Sequence, residues 1–197
     1  ANTVTLTVTD VNGNSSTCSS TVTVQDNIAP TVLCKNVTVQ LNSAGTASVT
    51  AAQVNNGSSD NCGIATMSVS PNSFTCANVG ANTVTLTVTD VNGNSSTCTS
   101  TVTVQDNIAP TAICKNVTVQ LNAAGTASVT AAQVNNGSSD NCSIATMTVS
   151  PNSFTCANVG ANTVTLTVTD VNGNSSTCTS TVTVQDNIVP TATCQNV

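Results

Sequence analysis

The chain has 197 residues and carries eight acidic side chains against two lysines, with no His, so its formal net charge is −6 at pH 7. A surface so poor in cationic side chains cannot neutralise a phosphate backbone, which argues against nucleic acid as a partner. The sequence contains no apolar run approaching the roughly 18 residues that a membrane-spanning helix needs. Because His and Glu are absent and the only amines are Lys35 and Lys115, we expect no catalytic activity.

A repeat of 80 residues organises the whole sequence. The string ANTVTLTVTDVNGNSSTC begins at Ala1 and returns one and two periods later. Segments 31–110 and 111–190 differ only at positions 32, 33, 43, 63, 68 and 109. Such self-similarity is typical of tandem arrays of one structural unit. We therefore predict a C-terminal piece of a repeat at 1–30, complete repeats at 31–110 and 111–190, and the start of a further repeat at 191–197.

The first half of the complete repeat predicts short strands separated by turns. Residues 35–41 alternate apolar and polar side chains, which is the period of a half-buried strand. A turn leads to a second strand at 46–51, and a polar loop rich in Asn, Gly and Ser precedes a third strand at 64–70. After Pro71, residues 74–82 predict a short irregular or strand-like stretch.

The second half of the repeat predicts a hairpin. Residues 83–89 alternate without a break, a turn with Gly93 at a position suited to positive φ follows, and 97–105 runs back. Pro110 ends the unit because proline cannot pair within a central strand. No segment shows a helical period. Six or seven short strands with regularly spaced turns predict an all-β chain of tandem immunoglobulin-like antiparallel β-sandwich repeats, arranged as beads on a string.

Ten cysteines are spread widely through the chain, and aromatic side chains are almost absent. Zinc sites need closely spaced cysteines or a His partner, so disulfide bonds are the better interpretation. Small secreted domains often use disulfides where the hydrophobic core is modest. The cysteines therefore predict an oxidising compartment, and we expect an extracellular location, at a cell surface or in a secreted filament.

Four features of the repeat carry a resemblance to a known family. They are Cys34 on the first strand, Asp-Asn-Cys at 60–62, VTDVNGNSSTC at 88–98 and VQDNIAP at 104–110. Together they resemble a hyalin repeat (HYR) domain, and near-identical arrays of this kind resemble those of giant bacterial surface proteins. The resemblance implies an immunoglobulin-like sandwich, an adhesive or spacer role and no catalysis. The second cysteine pair departs from many hyalin repeats, which leaves the disulfide connectivity partly open.

Four cysteines in each repeat allow three pairings. The first strand begins, and the last strand starts back, at the same end of a sandwich, which brings Cys34 close to Cys98, and the resemblance points the same way. The remaining two cysteines would then pair across the third strand and its return. The predicted set is Cys34–Cys98, Cys62–Cys76, Cys114–Cys178 and Cys142–Cys156. A rival scheme joins Cys98 to Cys114 across the linker, over a distance that strand geometry makes long unless the linker folds back.

The aspartates predict a candidate metal site. If strands run alternately down and up, the loop after the second strand, the hairpin turn and the entering linker all lie at one end of a repeat. Carboxylates gathered with Asn side chains make an oxygen site that suits Ca²⁺. Asp and Asn are also ordinary turn residues, so local turn capping is an equal alternative. The candidate calcium ligands are Asp26, Asn27, Asp60 and Asp90 at one junction and Asp106, Asn107, Asp140 and Asp170 at the next.

Two functions of different classes follow from these features. In the first, the array is a structural extracellular fibre or stalk of a bacterial surface filament or giant adhesin, with calcium stiffening the junctions. In the second, repeated faces bind a glycan, a host surface or ice. A chain with one Phe in each complete repeat offers few aromatic contacts, which favours the structural role. We expect the incomplete end segments to be completed by neighbouring repeats or by protomers of the same fibre, because bare sheet edges promote aggregation.

Overall fold

A computed structural model describes residues 1–195 of the chain and shows an all-β architecture. The strands before the second repeat are β1 (Asn2–Thr9), β2 (Ser15–Val22), β3 (Val37–Gln40), β4 (Thr46–Ser48), β5 (Ile64–Ser70), β6 (Ser73–Thr75), β7 (Gly80–Asp90) and β8 (Ser95–Gln105). The second repeat contains β9 (Val117–Gln120), β10 (Thr126–Ser128), β11 (Ile144–Ser150), β12 (Ser153–Thr155), β13 (Gly160–Asp170) and β14 (Ser175–Gln185). Single 3-10 turns follow β6 and β12, at Cys76–Asn78 and Cys156–Asn158.

One-turn helices interrupt each repeat where the sequence predicted only strand and loop. They are α1 (Ala51–Val54) and α2 (Ala131–Val134). The Gln53 side-chain carbonyl accepts a hydrogen bond from the Thr50 backbone amide at 2.8 Å, and the Gln53 amide donates back to the Thr50 hydroxyl at 3.3 Å. This reciprocal cap, together with the fully buried Val54, stabilises a turn too short to show a helical period. Among residues 1–195, no helix has the length and hydrophobicity required to cross a bilayer.

The second repeat forms a sandwich of a four-stranded and a two-stranded sheet. The larger sheet has the order β11-β13-β14-β9, and β10 pairs with β12. Strand β13 pairs antiparallel with both of its neighbours, whereas β9 pairs parallel with β14, Val117 opposite Val182. The predicted immunoglobulin-like sandwich is confirmed, with one parallel pair at the edge of an otherwise antiparallel sheet. In the first repeat, β3-β8-β7-β5 and β4-β6 have the same orders.

The core of the second repeat follows the predicted alternation. Every second residue of β13 points inward, and Val164, Leu166 and Val168 are fully buried. Phe154 on β12 closes the core against them at 2% exposure. Because the chain has so few large side chains, one Phe and a set of Val and Leu residues supply most of the buried apolar surface of this repeat.

The hairpin of β1 and β2 buries almost nothing. Its strands pair in register from Asn2 opposite Val22 to Thr9 opposite Ser15. Leu6 is 61% exposed, whereas its counterpart Leu86, one period later, is fully buried. The same sequence therefore forms the same hairpin with and without a covering layer. Completion of this segment by neighbouring chain stays a prediction.

The chain divides into two compact units whose limits differ from the repeat boundaries. The first unit comprises Ala1–Val37, Val49–Asn72 and Ala81–Thr103, and the second comprises Thr38–Ser48, Ser73–Gly80 and the chain from Val104 onward. The predicted limit between the two complete repeats, at 110/111, therefore lies inside the second unit. Repeat limits at 30/31 and 190/191 stay predictions. Of segment 191–197, residues 191–195 are exposed and outside regular structure, and residues 196 and 197 lie outside the described residues.

Candidate metal centre

Two disulfides close the repeats individually. Cys34 bonds to Cys98 with Cα atoms 6.1 Å apart, and Cys114 bonds to Cys178 with Cα atoms 6.0 Å apart. Each bond ties the segment before the first strand of a repeat to its last strand, in the first pairing of the sequence-based scheme. Closing a loop of about 64 residues stabilises a small domain mainly by restricting its unfolded chain.

The second predicted pairing needs correction. The Cys62–Cys76 and Cys142–Cys156 bonds are not formed. Cys76 bonds instead to Cys142 of the following repeat, with Cα atoms 5.4 Å apart, and Cys62 and Cys156 are free and exposed. The reason is the length of β5 between Cys62 and Cys76. Its seven residues advance about 23 Å, and the three residues of β6 return only about 10 Å, which leaves the two cysteines beyond bonding reach.

Three aspartates of the second unit converge beside this interrepeat bond. Asp106 directly follows β8, Asp140 lies in the loop before β11, and Asp170 is the last residue of β13. Each offers a carboxylate oxygen, and these oxygens lie within 4.8 Å of one another. Asp170 is 2% exposed and Asp106 is 6% exposed. The antiparallel topology brings the linker, the loop and the turn to one end of the repeat.

Asp170 is held by the hairpin turn that follows it. One carboxylate oxygen accepts backbone amides of Asn172 and Asn174 at 2.8 Å each, and the other accepts the Asn174 side-chain amide at 2.8 Å. The Asn174 amide also donates to the Asp106 carbonyl oxygen at 3.1 Å, which ties the turn to the linker. Asp170 therefore both caps the hairpin turn and belongs to the group of three carboxylates.

Other oxygens of the group have no hydrogen-bond partner. They are buried, and they belong to Asp106 (Oδ2), Asp140 (Oδ1) and Asn141 (Oδ1). The opposite oxygen of Asp106 accepts the Asn141 amide at 3.1 Å, and that of Asp140 accepts the Cys142 backbone amide at 2.9 Å. Buried carboxylate oxygens without a partner are costly, and a hard cation satisfies them directly. The donor set of carboxylate and amide oxygens fits Ca²⁺.

The carboxylates of the hairpin turns stay charged. Burial is the largest single influence, and it raises the pKa of Asp170. The hydrogen bonds from Asn174 and from the amides of Asn172 and Gly173 together lower the pKa by more, so the net pKa lies below its ordinary value. The pKa of Asp90 is lowered by the same balance. Carboxylates that remain ionised this close together repel one another unless a cation lies among them.

The first unit carries the equivalent group. Carboxylate oxygens of Asp26, Asp60 and Asp90 also lie within 4.8 Å of one another. The free oxygens are Asp26 Oδ2 and Asp60 Oδ1, again buried and without a hydrogen-bond partner. The Ile28 backbone amide chiefly lowers the pKa of Asp26, and the hydrogen bond to Asp26 raises the pKa of the Cys62 thiol.

The structure draws attention to an Asn residue beyond the two that the sequence predicts. Asn27 is exposed, and the Asn107 side-chain amide donates to Gln40 at 2.8 Å. Both stay predictions as ligands. Asn141, which was not among the sequence-based candidates, offers the unpartnered oxygen instead. Its signal was its place directly after Asp140 in the Asp-Asn-Cys motif, where a residue adjacent to a ligand shares the same loop.

Comparisons with solved structures give low scores. Extracellular cadherin domains 1-4 of protocadherin gamma B7 share 13% identity at a TM-score of 0.40, covering 90% of this chain and 56% of that one. Domains EC1-2 of human mucin-like protocadherin share 14% at 0.36, covering 80% and 98%. Immunoglobulin domains 1-4 of Sidekick-1 share 9% at 0.41, covering 91% and 57%. The chain spans little more than half the length of the first of these, and likenesses at this level carry no functional argument.

A family model gives the more specific match. No curated protein matches the chain. The HYR domain model matches residues 25–104, a segment that holds Asp26, Asp60 and Asp90 together. Segment 105–184 repeats it nearly residue for residue. Residues 25–104 therefore match the HYR domain, the family that the motifs of the repeat resemble.

Proposed function

We propose that the chain is a stretch of a structural extracellular fibre or stalk whose repeats are held together by disulfides and Ca²⁺. The observation that carries the proposal is a disulfide that lies beside a group of buried carboxylates in the second unit. A disulfide joins Cys76 to Cys142, and the buried, unpartnered carboxylate oxygens of Asp106 and Asp140 lie in the segments beside it. A passive domain boundary needs neither feature.

In this proposal, Asp106, Asp140, Asp170 and Asn141 hold the ion. The ion supplies positive charge among three carboxylates, while the chain's own contribution is to bring together three segments far apart in sequence. Asp106 fixes the linker, Asp140 fixes the loop before β11, and Asp170 fixes the hairpin turn. With these segments tied to one point, the linker loses its freedom to swing, and the fibre gains stiffness.

The wider setting is an oxidising, extracellular one. Three disulfides among residues 1–195 support export from the reducing cytosol. The near-identity of the repeats supports a role in which length and stiffness matter more than any single surface. A bacterial surface filament or giant adhesin fits this combination, and no catalytic role is part of the proposal.

Calcium titration of the oxidised chain, after removal of divalent ions by a chelator, tests the proposal. We expect two sites in each chain, one for each aspartate group. Extracellular calcium modules bind with dissociation constants of about 10⁻⁴ to 10⁻³ M. At a calcium concentration 10 to 100 times the dissociation constant, one site stabilises the fold by about 1.4 to 2.7 kcal/mol. That corresponds to a rise in Tm of at least about 5 °C for a domain of this size.

Single substitutions assign the sites. Asp60→Asn and Asp140→Asn should each remove one site from the calorimetric stoichiometry. Asp10→Asn and Asp186→Asn are controls, because Asp10 and Asp186 are the counterparts of Asp90 and Asp106 but belong to neither aspartate group among the described residues. Calcium binding that is absent, or that persists unchanged in the Asp60→Asn and Asp140→Asn variants, would refute calcium stiffening.

A further inference from the structure

The loop at residues 140–142 belongs both to the aspartate group of the second unit and to the interrepeat bond. Asp140 supplies a carboxylate to the group, and Cys142, two residues later, is bonded to Cys76. The Cys142 backbone amide donates a hydrogen bond to the Asp140 carboxylate at 2.9 Å, so the residue that forms the bond also orients the carboxylate. A displacement of Cys142 therefore displaces Asp140 with it.

Asn141, between these two residues, contacts both the aspartate group and the surroundings of the bond. Its side-chain amide donates to the Asp106 carboxylate at 3.1 Å and to the Asn42 carbonyl oxygen at 3.5 Å. Its backbone carbonyl oxygen lies 3.5 Å from the Cys76 sulfur. Its side-chain oxygen is buried and has no hydrogen-bond partner among residues 1–195. Asn141 is therefore held beside the carboxylates by contacts that depend on the position of the bond.

The first unit contains the same Asp-Asn-Cys motif with a free cysteine. There Asn61 is exposed, and its amide lies 3.4 Å from the Asp26 carboxylate. Asn141 is half-buried, and its amide makes the shorter hydrogen bond to Asp106. The loop whose cysteine is bonded therefore holds its Asn deeper against the carboxylates than the loop whose cysteine is free.

Asp106 independently indicates that the group receives a ligand. Its side chain is 6% exposed, and its Oδ2 atom has no hydrogen-bond partner in the part of the chain that the structure describes. A buried oxygen of this kind is costly unless a cation satisfies it. The three carboxylates also repel one another, which pushes the loop at Asp140 away from the linker at Asp106. The bond opposes that separation, and a cation removes its cause.

We propose that the Cys76–Cys142 bond holds Asn141 as a calcium ligand, so that the bond and the ion strengthen each other and calcium affinity follows the redox state of the bond. This inference rests on the proposed calcium site and adds redox control to it. The coupling is reciprocal, because the factor by which the bond raises calcium affinity is the factor by which calcium raises the equilibrium constant of the bond. Couplings between two sites typically amount to about 5- to 150-fold.

Reduction by glutathione opens the bond in two exchanges. One glutathione thiolate attacks the Cys142 sulfur, forms a mixed disulfide there and releases Cys76 as a thiolate. A second glutathione thiolate attacks the glutathione sulfur of the mixed disulfide and releases the Cys142 thiolate. The protein gains two electrons and, on protonation of both thiolates, two protons, while two glutathione thiols become one oxidised glutathione. The loop at 140–142 is then free to withdraw from Asp106 and to take Asn141 with it.

Calorimetric calcium titration of two oxidised chains tests the coupling. One chain keeps the bond, and the other carries Cys76→Ser and Cys142→Ser. Loss of the bond should raise the Kd of the second aspartate group at least about fivefold, the lower end of the typical range. The first group should keep its Kd in both chains, and Asp60→Asn and Asp140→Asn assign each Kd to its group. Both chains also carry Ser in place of the four free cysteines, which are Cys18, Cys62, Cys156 and Cys194.

The redox equilibrium of the chain that keeps the bond gives a readout that needs no change at Cys76 or Cys142. The chain is equilibrated in glutathione buffers with a chelator or with saturating calcium, and Cys76–Cys142 peptides are quantified by mass spectrometry. The equilibrium constant of the bond should rise with calcium by the same factor as the calcium affinity rises with the bond.

Asn141→Ala tests the role assigned to the side-chain oxygen. The substitution should weaken calcium binding at the second group in the chain that keeps the bond, and should have a much smaller effect in the chain without it. Asn61→Ala is the matched control, because Asn61 has the same place in the motif but is exposed. It should change the calcium affinity of the first group less than Asn141→Ala changes that of the second.

The outcomes distinguish this inference from the calcium site on which it rests. Calcium binding that is absent at both groups would refute the site and the coupling together. Calcium that binds with the same Kd whether or not the bond is present, or a bond constant that ignores calcium, would overturn the coupling and leave the site intact. An effect of Asn141→Ala that is equal with and without the bond would show that the bond does not hold Asn141 as a ligand.

Discussion

Gly45 offers a direct test of the contact between successive repeats. Its φ is +70°, and that of its counterpart Gly125 is +69°. Alanine at either position would pay the same backbone strain, about 1 to 2 kcal/mol. At both positions the new Cβ would also lie 2.7 Å from a cysteine sulfur, that of Cys76 or of Cys156, but only at Gly45 would it lie 2.7 Å from the Asn141 carbonyl oxygen. Gly125→Ala is therefore a matched control for the clash at the junction.

The clash should weaken the bond between Cys76 and Cys142. To relieve the clash, Asn141 must move away from residue 45. Cys142, the next residue, must move with it, and this movement strains the bond to Cys76. Overpacking of this kind costs about 1 to 3 kcal/mol. That range corresponds to a roughly 5- to 150-fold fall in the equilibrium constant for bond formation. The constant is measured by equilibrating each variant in glutathione buffers and quantifying Cys76–Cys142 peptides by mass spectrometry.

Gly125→Ala should leave this constant near that of the unsubstituted chain, because its added Cβ contacts neither cysteine of the bond. Equal constants in the two variants would mean that Asn141 does not cover Gly45. Successive repeats would then not make this contact, whatever the two substitutions do to overall stability.

Two further outcomes test the core and the hairpin turn. Phe154→Ala should destabilise its repeat by about 3 to 5 kcal/mol in urea unfolding, because Phe154 is 2% exposed and no other aromatic side chain shares its core; a loss below about 1 kcal/mol would contradict that packing. Asn14→Ala should raise the pKa of Asp10, since the Asn14 side chain is the main donor that lowers it. The lowered pKa makes the charged form stabilise the hairpin above the ordinary pKa of Asp, and this contribution disappears as pH falls through the pKa of the folded state. Carboxyl NMR titration measures the change, and an unmoved pKa would count against the bond.

The strands could be predicted because burial imposes a period of two on them. Residues 83–89 alternate in sequence, and the buried positions of β7 are the apolar ones, Val84, Leu86 and Val88. The one-turn helix at Ala51–Val54 has too few residues to show any period. The parallel pairing of β9 with β14 was equally hidden, because alternation reports which face is buried and says nothing of strand direction.

Part of the candidate site could likewise be predicted from the sequence, and part of it could not. Each group of three aspartates could be predicted from strand order, since antiparallel strands return loops to the same end. Within each group, the three aspartates lie close to one another in the structure. The pairing of Cys76 with Cys142 could not be derived from one repeat considered alone. It depends on the repeat that follows, and a pattern that recurs every 80 residues does not distinguish Cys62 from Cys142 as a partner.

A bond between repeats and a carboxylate group beside it constrain the junction in different ways. The Cys76–Cys142 bond fixes one point of contact but leaves rotation about that point. The aspartate group gathers the linker at Asp106, the loop at Asp140 and the turn at Asp170 around a second point. Two separate points of attachment restrict a hinge more than either does alone. If the disulfide forms and calcium binds, removing calcium should loosen the junction, but the disulfide should still hold the repeats in contact. Reducing the disulfide should instead leave the contact between the repeats dependent on calcium.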